Sequence, residues 1–342
     1  MARRVTLKEV AARAGVSYQT VSKVLNKTVQ VSPETEERIY AAVADLGYRP
    51  NLIARSLRSQ RSRKIGYSWM PTPRGEVNTI LDLFLQSMAT AVSQAGYHIL
   101  TFPYQSGDSW IDAYRDLIDT NQVDGFVISS VEYDDPRLAL MLEREFPFVA
   151  FGRSNPDWRF SWVDIDGGSG IEQVVHHLCD LGHKQMGVLA WPESSRVGNN
   201  RMDGLNAALE ACGINLPQER LLRGEGNYTF GYQATEQLLQ TGGDRPTALV
   251  AFNDLMAIGA MHAAQAHGLE VGRELAVAGF DDMPFSQYLR PSLTTVHQPI
   301  WEVGRVVIET LFAVLDGAEP SSHLIQPELI VRESTSGNAP WP

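Results

Sequence analysis

Several polar side chains directly follow apolar runs of the sequence. Their amide, carboxylate, hydroxyl and guanidinium groups suit a small molecule rich in hydroxyl groups, which must both donate and accept hydrogen bonds. Each group taken singly is equally well explained as a helix cap or a polar strand end. The set, with the run that each residue follows, is Ser129 (DGFVI), Arg153 (FVAFG), Asn253 and Asp254 (TALVAF), and Asp281 and Asp282 (LAVAGF). Arg201 belongs to the same set, because we predict that it opens the helix after KQMGVLAWP.

A second set of polar side chains lies near the N-terminus and suits a different chemistry. The outward side of a short predicted helix carries Tyr18, Gln19, Ser22 and Lys23. Donor-rich side chains at this end of a helix are placed to read base edges in the DNA major groove, which present an unambiguous hydrogen-bonding pattern. The spacing alone leaves open a helical hairpin with no nucleic-acid role. The inward side carries Val21, Val24 and Leu25, expected against Leu7, Val10 and Ala11.

Local signals predict the helices that position this second set. Thr6 followed by Glu9 is a capping box, so a helix should begin at Leu7 and run to about Ala14. Gly15 should end it, and Ser17 should cap the next helix. The two short helices and their glycine turn predict a helix-turn-helix. A third helix is expected from Ser32 and Pro33, with an inward face of Ile39, Ala42, Val43 and Leu46.

The rest of the chain alternates apolar runs with amphipathic helical stretches, which predicts βαβ units and parallel sheets. One set runs from IGYSWM to FPFVAFG and a second from WVDID to LAVAGFDD, so we expect two subdomains with a cleft between them. Ligands bind beyond the carboxyl ends of parallel strands, where the first polar set lies. The predicted domains are a head (1–50), a hinge and linker (51–63) and a two-subdomain core (64–338).

The net charge of −11 is distributed unevenly along the chain. Residues 1–64 hold 13 of the 29 Lys and Arg residues and 5 of the 40 Asp and Glu residues, which leaves 16 and 35 for the remainder. A basic head on an acidic body is typical of a DNA-binding protein whose second domain has another task.

The composition excludes several classes of protein. A chain of 342 residues with 44% hydrophobic and 20% charged residues is typical of a soluble protein of two or three domains. No apolar run approaches the ~20 residues of a membrane span, and no signal peptide is recognisable, so we expect a cytoplasmic protein. Cys179 and Cys212 are the only cysteines, and we predict no disulfide.

Motifs of the common enzyme classes are missing from the sequence. It contains no GxxxxGK[ST] loop, no GxSxG elbow and no HExxH zinc motif. His176, His177, Cys179 and His183 have the side chains of metal ligands, but they lie in or just after a predicted helix that ends at Gly182, where structural roles are expected. We therefore expect no catalysis, no metal and no cofactor.

Three stretches of the sequence resemble the DNA-binding head of the LacI/GalR family of bacterial transcription regulators. They are VTLKEVAARAGVSYQTVSKVLN, VSPETEERIYAAVADLGYRPN and LGYRPNLIARSLRS. The resemblance implies an all-α helix-turn-helix head and an α/β core of periplasmic-binding-protein-like type. It also implies a hinge helix at 52–58 that orders on DNA, with Leu57 wedged into the minor groove. The residues expected at DNA are Thr6, Ser17, Tyr18, Gln19, Thr20, Ser22, Lys23, Asn26, Asn51, Ala54, Arg55, Leu57 and Arg58.

The same resemblance implies roles in the cleft. Arg201, Asn253 and Asp281 match family positions that hydrogen-bond effector hydroxyls, and Ser129 and Arg153 match positions that line the same pocket. The resemblance therefore implies that the first polar set binds the effector.

Aromatic side chains support a carbohydrate effector, because the apolar faces of sugars stack on aromatic rings. Trp162 and Tyr228 are the preferred residues, and Tyr228 follows GEGN, where the family places such a ring. Further tryptophans near strand ends are Trp69, Trp110 and Trp191. The loop at 71–79, PTPRGEVNT, differs from the apolar NPFF-like loop of many members and offers Arg74 and Asn78 as additional contacts.

The predicted function is that of a homodimeric repressor that binds a palindromic operator and changes its DNA affinity when a sugar or glycoside binds the cleft. The tail after VRESTSG is too short and proline-rich for leucine heptads, so we expect a dimer rather than a tetramer. One alternative is a purine-responsive corepressor-type regulator, because Arg153 and Asp281 also suit a base. Another is a solute-binding protein for transport, against which the basic head argues.

Overall fold

The computed structural model describes residues 5–25, 29–48, 61–71, 78–104, 110–240 and 245–336. The chain divides into two compact units, Met1–Ser62, which includes the predicted head, and Arg63–Pro342, which includes the predicted core. Within the described ranges, every helix is too short or too polar to cross a bilayer.

The head contains the three helices that the local signals predict: α1 (Leu7–Ala14), α2 (Tyr18–Leu25) and α3 (Pro33–Leu46). At the capping box, the Thr6 N–H donates to the Glu9 carboxylate at 2.7 Å, and the Glu9 N–H donates to the Thr6 hydroxyl. Gly15 ends α1 with φ 64°, a left-handed conformation that glycine adopts without strain. The Ser17 hydroxyl then accepts from the Thr20 N–H at 3.0 Å and caps α2.

The three helices enclose a small apolar core. Val10 of α1, Val21 of α2 and Ile39 of α3 are fully buried, and each comes from the face that its helical spacing predicts. One outward prediction is wrong: Ser22 is only 8% exposed and lies on the buried side of α2. Ser22 directly follows Val21, and the packing of this short helix buries residues beside its apolar face as well as those on it.

The first subdomain of the core contains a sheet of six parallel strands in the order β11-β5-β4-β3-β1-β2. Its elements are β1 (Lys64–Trp69), α4 (Thr79–Gln94), β2 (His98–Pro103), α5 (Trp110–Asp119), β3 (Gly125–Ile128), α6 (Pro136–Glu143), β4 (Phe148–Phe151), β5 (Ser161–Ile165), α11 (Ile300–Leu315) and β11 (Ser322–Ile325). Val127 of β3 packs beneath α4 and α11, whereas Phe126 and Ile128 pack beneath α5 and α6. Burial on both faces is what a parallel sheet requires.

The second subdomain contains a sheet in the order β12-β10-β9-β8-β6-β7, in which only β12 is antiparallel to its neighbour. Its elements are α7 (Gly167–Asp180), β6 (Met186–Ala190), α8 (Arg196–Ala211), β7 (Leu221–Arg223), α9 (Tyr228–Gln240), β8 (Ala248–Ala251), α10 (Asp254–Ala266), β9 (Ala276–Asp281), β10 (Thr294–His297) and β12 (Glu328–Ile330). One continuous apolar cluster fills the space between this sheet and its helices.

The main difference from the sequence prediction concerns which strand belongs to which sheet. The WVDID strand, predicted to begin the second set, is β5 and pairs with β4 in the first sheet. The chain passes between the subdomains three times, after β5, after β10 and after β11. The elements after Asp282, including α11 and β11, were not among those predicted, and the apolar pattern does not say that they return to the first subdomain.

Candidate DNA-binding surface and effector cleft

The second helix of the head presents a polar edge to solvent. Tyr18 is 49% exposed, and Gln19 and Lys23, one helical turn apart, are also exposed. Val21 and Val24 anchor the opposite side of α2 in the apolar core. The geometry therefore suits a helix that inserts its N-terminal edge into a groove of DNA.

Other residues predicted at DNA have local partners in the head. The hydroxyls of Ser17 and Thr20 lie 2.8 Å apart, and the Thr6 hydroxyl bonds the Glu9 carboxylate at 2.9 Å. Ser22 is buried. The remaining predictions lie outside the described residues: Asn26, Asn51, Ala54, Arg55, Leu57 and Arg58.

In the core, Arg153 lies just beyond β4 at the carboxyl edge of the first sheet. Its Nε donates to Asp164 Oδ2 at 2.6 Å, and its Nη2 donates to Asn200 Oδ1 of the second subdomain at 2.7 Å. The Cζ atom lies 5.6 Å from the centroid of the Trp162 ring. Burial raises the pKa of Asp164, and the neighbouring Arg153 opposes that shift. Arg153 and Trp162 therefore lie together beside the second subdomain.

Ser129 follows β3 at the same edge of the first sheet. It is 3% exposed, and its hydroxyl lies 3.0 Å from the Tyr67 hydroxyl of β1. Burial raises the pKa of Tyr67, so this side chain is a neutral phenol. Ser129 is thus bonded within its own sheet.

Arg201 is the most enclosed cation of the second subdomain, with 4% exposure in the second turn of α8. The prediction that Arg201 opens this helix is wrong, because α8 begins at Arg196. Its Nη1 donates to the Phe252 carbonyl, and its Cζ lies 3.6 Å from the Phe280 ring centroid. Its Nη2 lies 3.9 Å from Asp281 Oδ1. Burial lowers the pKa of Arg201 to about 10 and raises that of Asp281.

Asn253 follows β8, and Asp281 is the last residue of the neighbouring strand β9. Asn253 Oδ1 caps α10 by accepting from the Met256 N–H at 2.8 Å, and its Nδ2 donates to the Gly226 carbonyl at 2.7 Å. Asp281 Oδ1 accepts from Gln298 Nε2 at 2.6 Å. The structure therefore brings Asn253, Asp281 and Arg201 to one edge of the second sheet.

The Tyr228 side chain lies against a histidine of α10. It is 40% exposed at the start of α9, and its hydroxyl lies 3.0 Å from His262 Nδ1 in the third turn of α10. Its ring also lies near Tyr232, with centroids 6.2 Å apart. The aromatic side chain that the structure brings to Arg201 is instead Trp191, whose ring centroid lies 4.7 Å from the Arg201 Cζ.

Four further residues contact the predicted effector-binding residues, although they were not predicted to belong to the site. Gln298 could not be assigned to a strand end, because it directly follows β10, which was not among the predicted strands. Asp164 carries a recognisable signal, a carboxylate within the apolar WVDID run, and Asn200 is the direct neighbour of Arg201. Trp191 was among the further tryptophans, and only its packing distinguishes it.

His177 of α7 and His183, which follows this helix, have structural partners. His177 Nε2 lies 2.9 Å from the Thr335 hydroxyl, and His183 Nδ1 lies 2.9 Å from the Thr247 hydroxyl. Burial lowers the pKa of His183 to about 4, and that of His177 also falls. Within the described part of the chain, no group of His, Cys, Asp and Glu side chains has the arrangement of a metal site.

Comparison with known proteins identifies the family. Residues 6–51 match the description "Bacterial regulatory proteins, lacI family", and residues 175–335 match "Periplasmic binding protein-like domain". The HTH-type transcriptional repressor PurR of Escherichia coli O139:H28 (strain E24377A / ETEC) is 32% identical over 341 residues, 97% of each chain. The chain belongs to the LacI family.

Solved structures agree with this assignment. A LacI-family regulatory protein from Chloroflexus aggregans is 50% identical, with TM-score 0.77, over 81% of this chain and 99% of that one. The lac repressor dimer bound to operator and the anti-inducer ONPF is 29% identical, with TM-score 0.84, over 98% and 100%. A complex of the regulator CelR with cellobiose is 30% identical, with TM-score 0.75, over 97% and 100%.

The predicted fold class, a helix-turn-helix head followed by a core with two parallel-dominated sheets, is thereby confirmed. This LacI-family protein is a ligand-responsive transcription repressor with a DNA-binding head.

Proposed function

We propose that this LacI-family repressor responds to a neutral carbohydrate, a sugar or glycoside, held by Arg201, Asn253 and Asp281, with Arg153 beside them. The single observation that carries the proposal is the pairing of opposite charges. Arg201 is balanced by Asp281, and Arg153 by Asp164. An anionic ligand would have to displace a carboxylate from each cation, whereas hydroxyl groups that both donate and accept fit between them.

The relatives point to two different effector classes. One similar structure is a complex of a regulator with cellobiose, which is a neutral disaccharide. The PurR relatives favour a second candidate, a purine-responsive corepressor-type regulator. Arg153 and Asp281 also suit the polar edge of a base, so the two candidates must be separated by binding.

On DNA, we propose that two heads of a homodimer bind the halves of a palindromic operator. Tyr18, Gln19 and Lys23 read bases, and Arg55 and Arg58 act on phosphates. Leu57 wedges into a central step of the minor groove. The dimeric lac repressor bound to operator supports this arrangement, because its fold is shared along nearly the whole chain.

Calorimetry of the full chain against glucose, galactose, cellobiose, maltose, lactose, hypoxanthine and guanine tests the effector class. We expect a sugar to bind and the purines not to bind. Asp281→Ala should weaken that binding by ~1.5–3 kcal/mol, because a hydrogen bond to a charged group is lost. It should bind operator as the parent does but no longer respond to sugar. Asp203→Ala, at an exposed position of α8, is the matched control.

Tight binding of hypoxanthine or guanine with no sugar response would reject the carbohydrate proposal and support the purine candidate. Equal sugar affinity in the parent and Asp281→Ala would remove Asp281 from the site.

A further inference from the structure

Trp191 follows β6 and lies against two members of the proposed effector site. The Arg201 Cζ lies 4.7 Å from the centroid of the Trp191 ring. On the indole edge, a Cβ built on Gly226 would lie 2.2 Å from Trp191 Nε1 and 2.9 Å from Asn253 Nδ2. Trp191 therefore shares one corner of the cleft with Arg201 and Asn253.

Gly226 is what allows the indole to take this position. Any side chain at residue 226 would overlap the indole nitrogen, so the ring edge lies directly on the backbone of the turn before α9. The Gly226 carbonyl accepts from Asn253 Nδ2 at 2.7 Å, which fixes this backbone relative to β8. The turn thus positions the indole and the Asn253 amide together.

A second glycine and an arginine lie against the Cβ and the carbonyl of Trp191. A Cβ built on Gly198 of α8 would lie 3.0 Å from the Trp191 Cβ. Arg223 Nη1 donates to the Trp191 carbonyl at 3.0 Å. Trp191 is contacted both at its backbone and at the edge of its indole, yet the residue is only partly buried. A rigid, partly exposed ring beside donors and acceptors is the surface that a sugar requires.

We infer that Trp191 supplies the aromatic face against which the apolar face of the effector sugar packs. This inference rests on the proposed carbohydrate response. Arg201 covers one side of the ring, so the sugar takes the exposed remainder while its hydroxyls reach Asn253 and Asp281. Tyr228 is engaged elsewhere through its hydroxyl, which lies 3.0 Å from His262 Nδ1.

The test compares three variants with the parent in calorimetry against glucose, galactose, cellobiose, maltose and lactose. Trp191→Leu removes the aromatic face and keeps apolar volume, Trp191→Phe keeps a smaller ring, and Gly226→Ala displaces the indole. The control, Trp301→Phe, changes an exposed tryptophan on α11 of the first subdomain. Urea unfolding and sugar-free operator binding confirm that each variant folds.

We expect Trp191→Leu and Gly226→Ala to bind the parent's best sugar about tenfold more weakly, the equivalent of ~1.4 kcal/mol. Trp191→Phe should lose less, and Trp301→Phe should match the parent. Sugar should also change the fluorescence of Trp191→Phe less than that of the parent and of Trp301→Phe, because the indole that the sugar contacts is missing from that variant.

Two results overturn the inference and are distinguishable. If the parent binds a sugar and Trp191→Leu binds it within twofold of the parent, Trp191 is not the stacking residue while the carbohydrate proposal stands. A parent that binds none of the five sugars overturns the proposed function and this inference with it.

Discussion

Arg153 Nη2 donates a 2.7 Å hydrogen bond to Asn200 Oδ1, and the two residues belong to different subdomains of the core. A second link lies nearby, where the Arg196 N–H donates to Glu132 Oε2 at 2.5 Å. Both links join loops of the first sheet to α8. The arrangement of the subdomains is therefore stabilised by polar bonds at the carboxyl edge of the first sheet, beside the proposed effector site.

Asn200→Ala should weaken effector binding about fivefold to tenfold, since it removes a hydrogen bond to a charged group that holds the subdomains together. Calorimetry with the sugar that binds the parent measures the change. Asn199→Ala is the control, because the Asn199 amide bonds the Glu193 carbonyl within the same subdomain at 2.9 Å. Equal affinities for Asn200→Ala and Asn199→Ala would contradict a bridging role.

Gln19→Ala should change operator preference rather than affinity alone. Gln19 is exposed on the polar edge of α2, and a side chain that reads a base contributes ~1–3 kcal/mol of discrimination. Binding titrations against operators with single base changes, at one salt concentration, measure this. Uniform weakening on all sequences would show that Gln19 contacts only the DNA backbone.

Acid should destabilise the core partly through His183. Burial lowers its pKa to about 4, so between the ordinary value of ~6.5 and pH 4 the unfolded chain binds more protons than the folded one. The free energy of unfolding therefore falls as the pH falls through this range, by up to ~1.4 kcal/mol per pH unit from this residue. The stabilisation is fully present above pH ~6.5.

Urea unfolding at pH 7, 6 and 5 checks this expectation. His183→Gln should show a shallower loss of stability than the parent, whereas His323→Gln, at an exposed position of β11, should keep the parent's slope. Identical slopes for the parent and His183→Gln would show that the pKa of His183 does not differ between the folded and the unfolded chain.

Gly204→Ala should destabilise the core strongly. A Cβ built on Gly204 would lie 2.1 Å from the Gly168 carbonyl oxygen, because α7 and α8 touch through their backbones. Overpacking of this kind costs ~1–3 kcal/mol, and we expect a value near 3. Gly168→Ala is a milder comparison, since its built Cβ meets the Asn200 carbonyl at 3.0 Å. Denaturant midpoints that rank the two variants in the opposite order would contradict the packing argument.

The sequence predicted the head better than the core for a physical reason. Thr6, Gly15 and Ser17 fix helix ends through neighbours within three or four residues, so their effect is visible in the sequence itself. The pairing of β5 with β4 and the return of α11 depend on contacts between distant parts of the chain. Apolar periodicity identifies such elements but does not say which sheet they join.

The residues of the candidate cleft also divide into those that the sequence predicts and those that depend on contacts between distant parts of the chain. Asn253 and Asp281 could be predicted to lie together, because parallel strands end at one edge of a sheet. The direction of the Tyr228 ring depends on His262, and the position of Trp191 depends on the missing side chain of Gly226. Neither relationship follows from the spacing of residues along the chain.

The three passages between subdomains have a consequence for biosynthesis. Strands β1 to β5 leave the ribosome first, yet their sheet is incomplete until α11 covers one face and β11 pairs with the edge of β5. The half of the core that is translated earliest therefore keeps apolar surface exposed until most of the second subdomain has also been translated. Early termination of translation anywhere before Ile325 leaves both sheets of the core incomplete, because the first then lacks part or all of β11 and the second lacks β12.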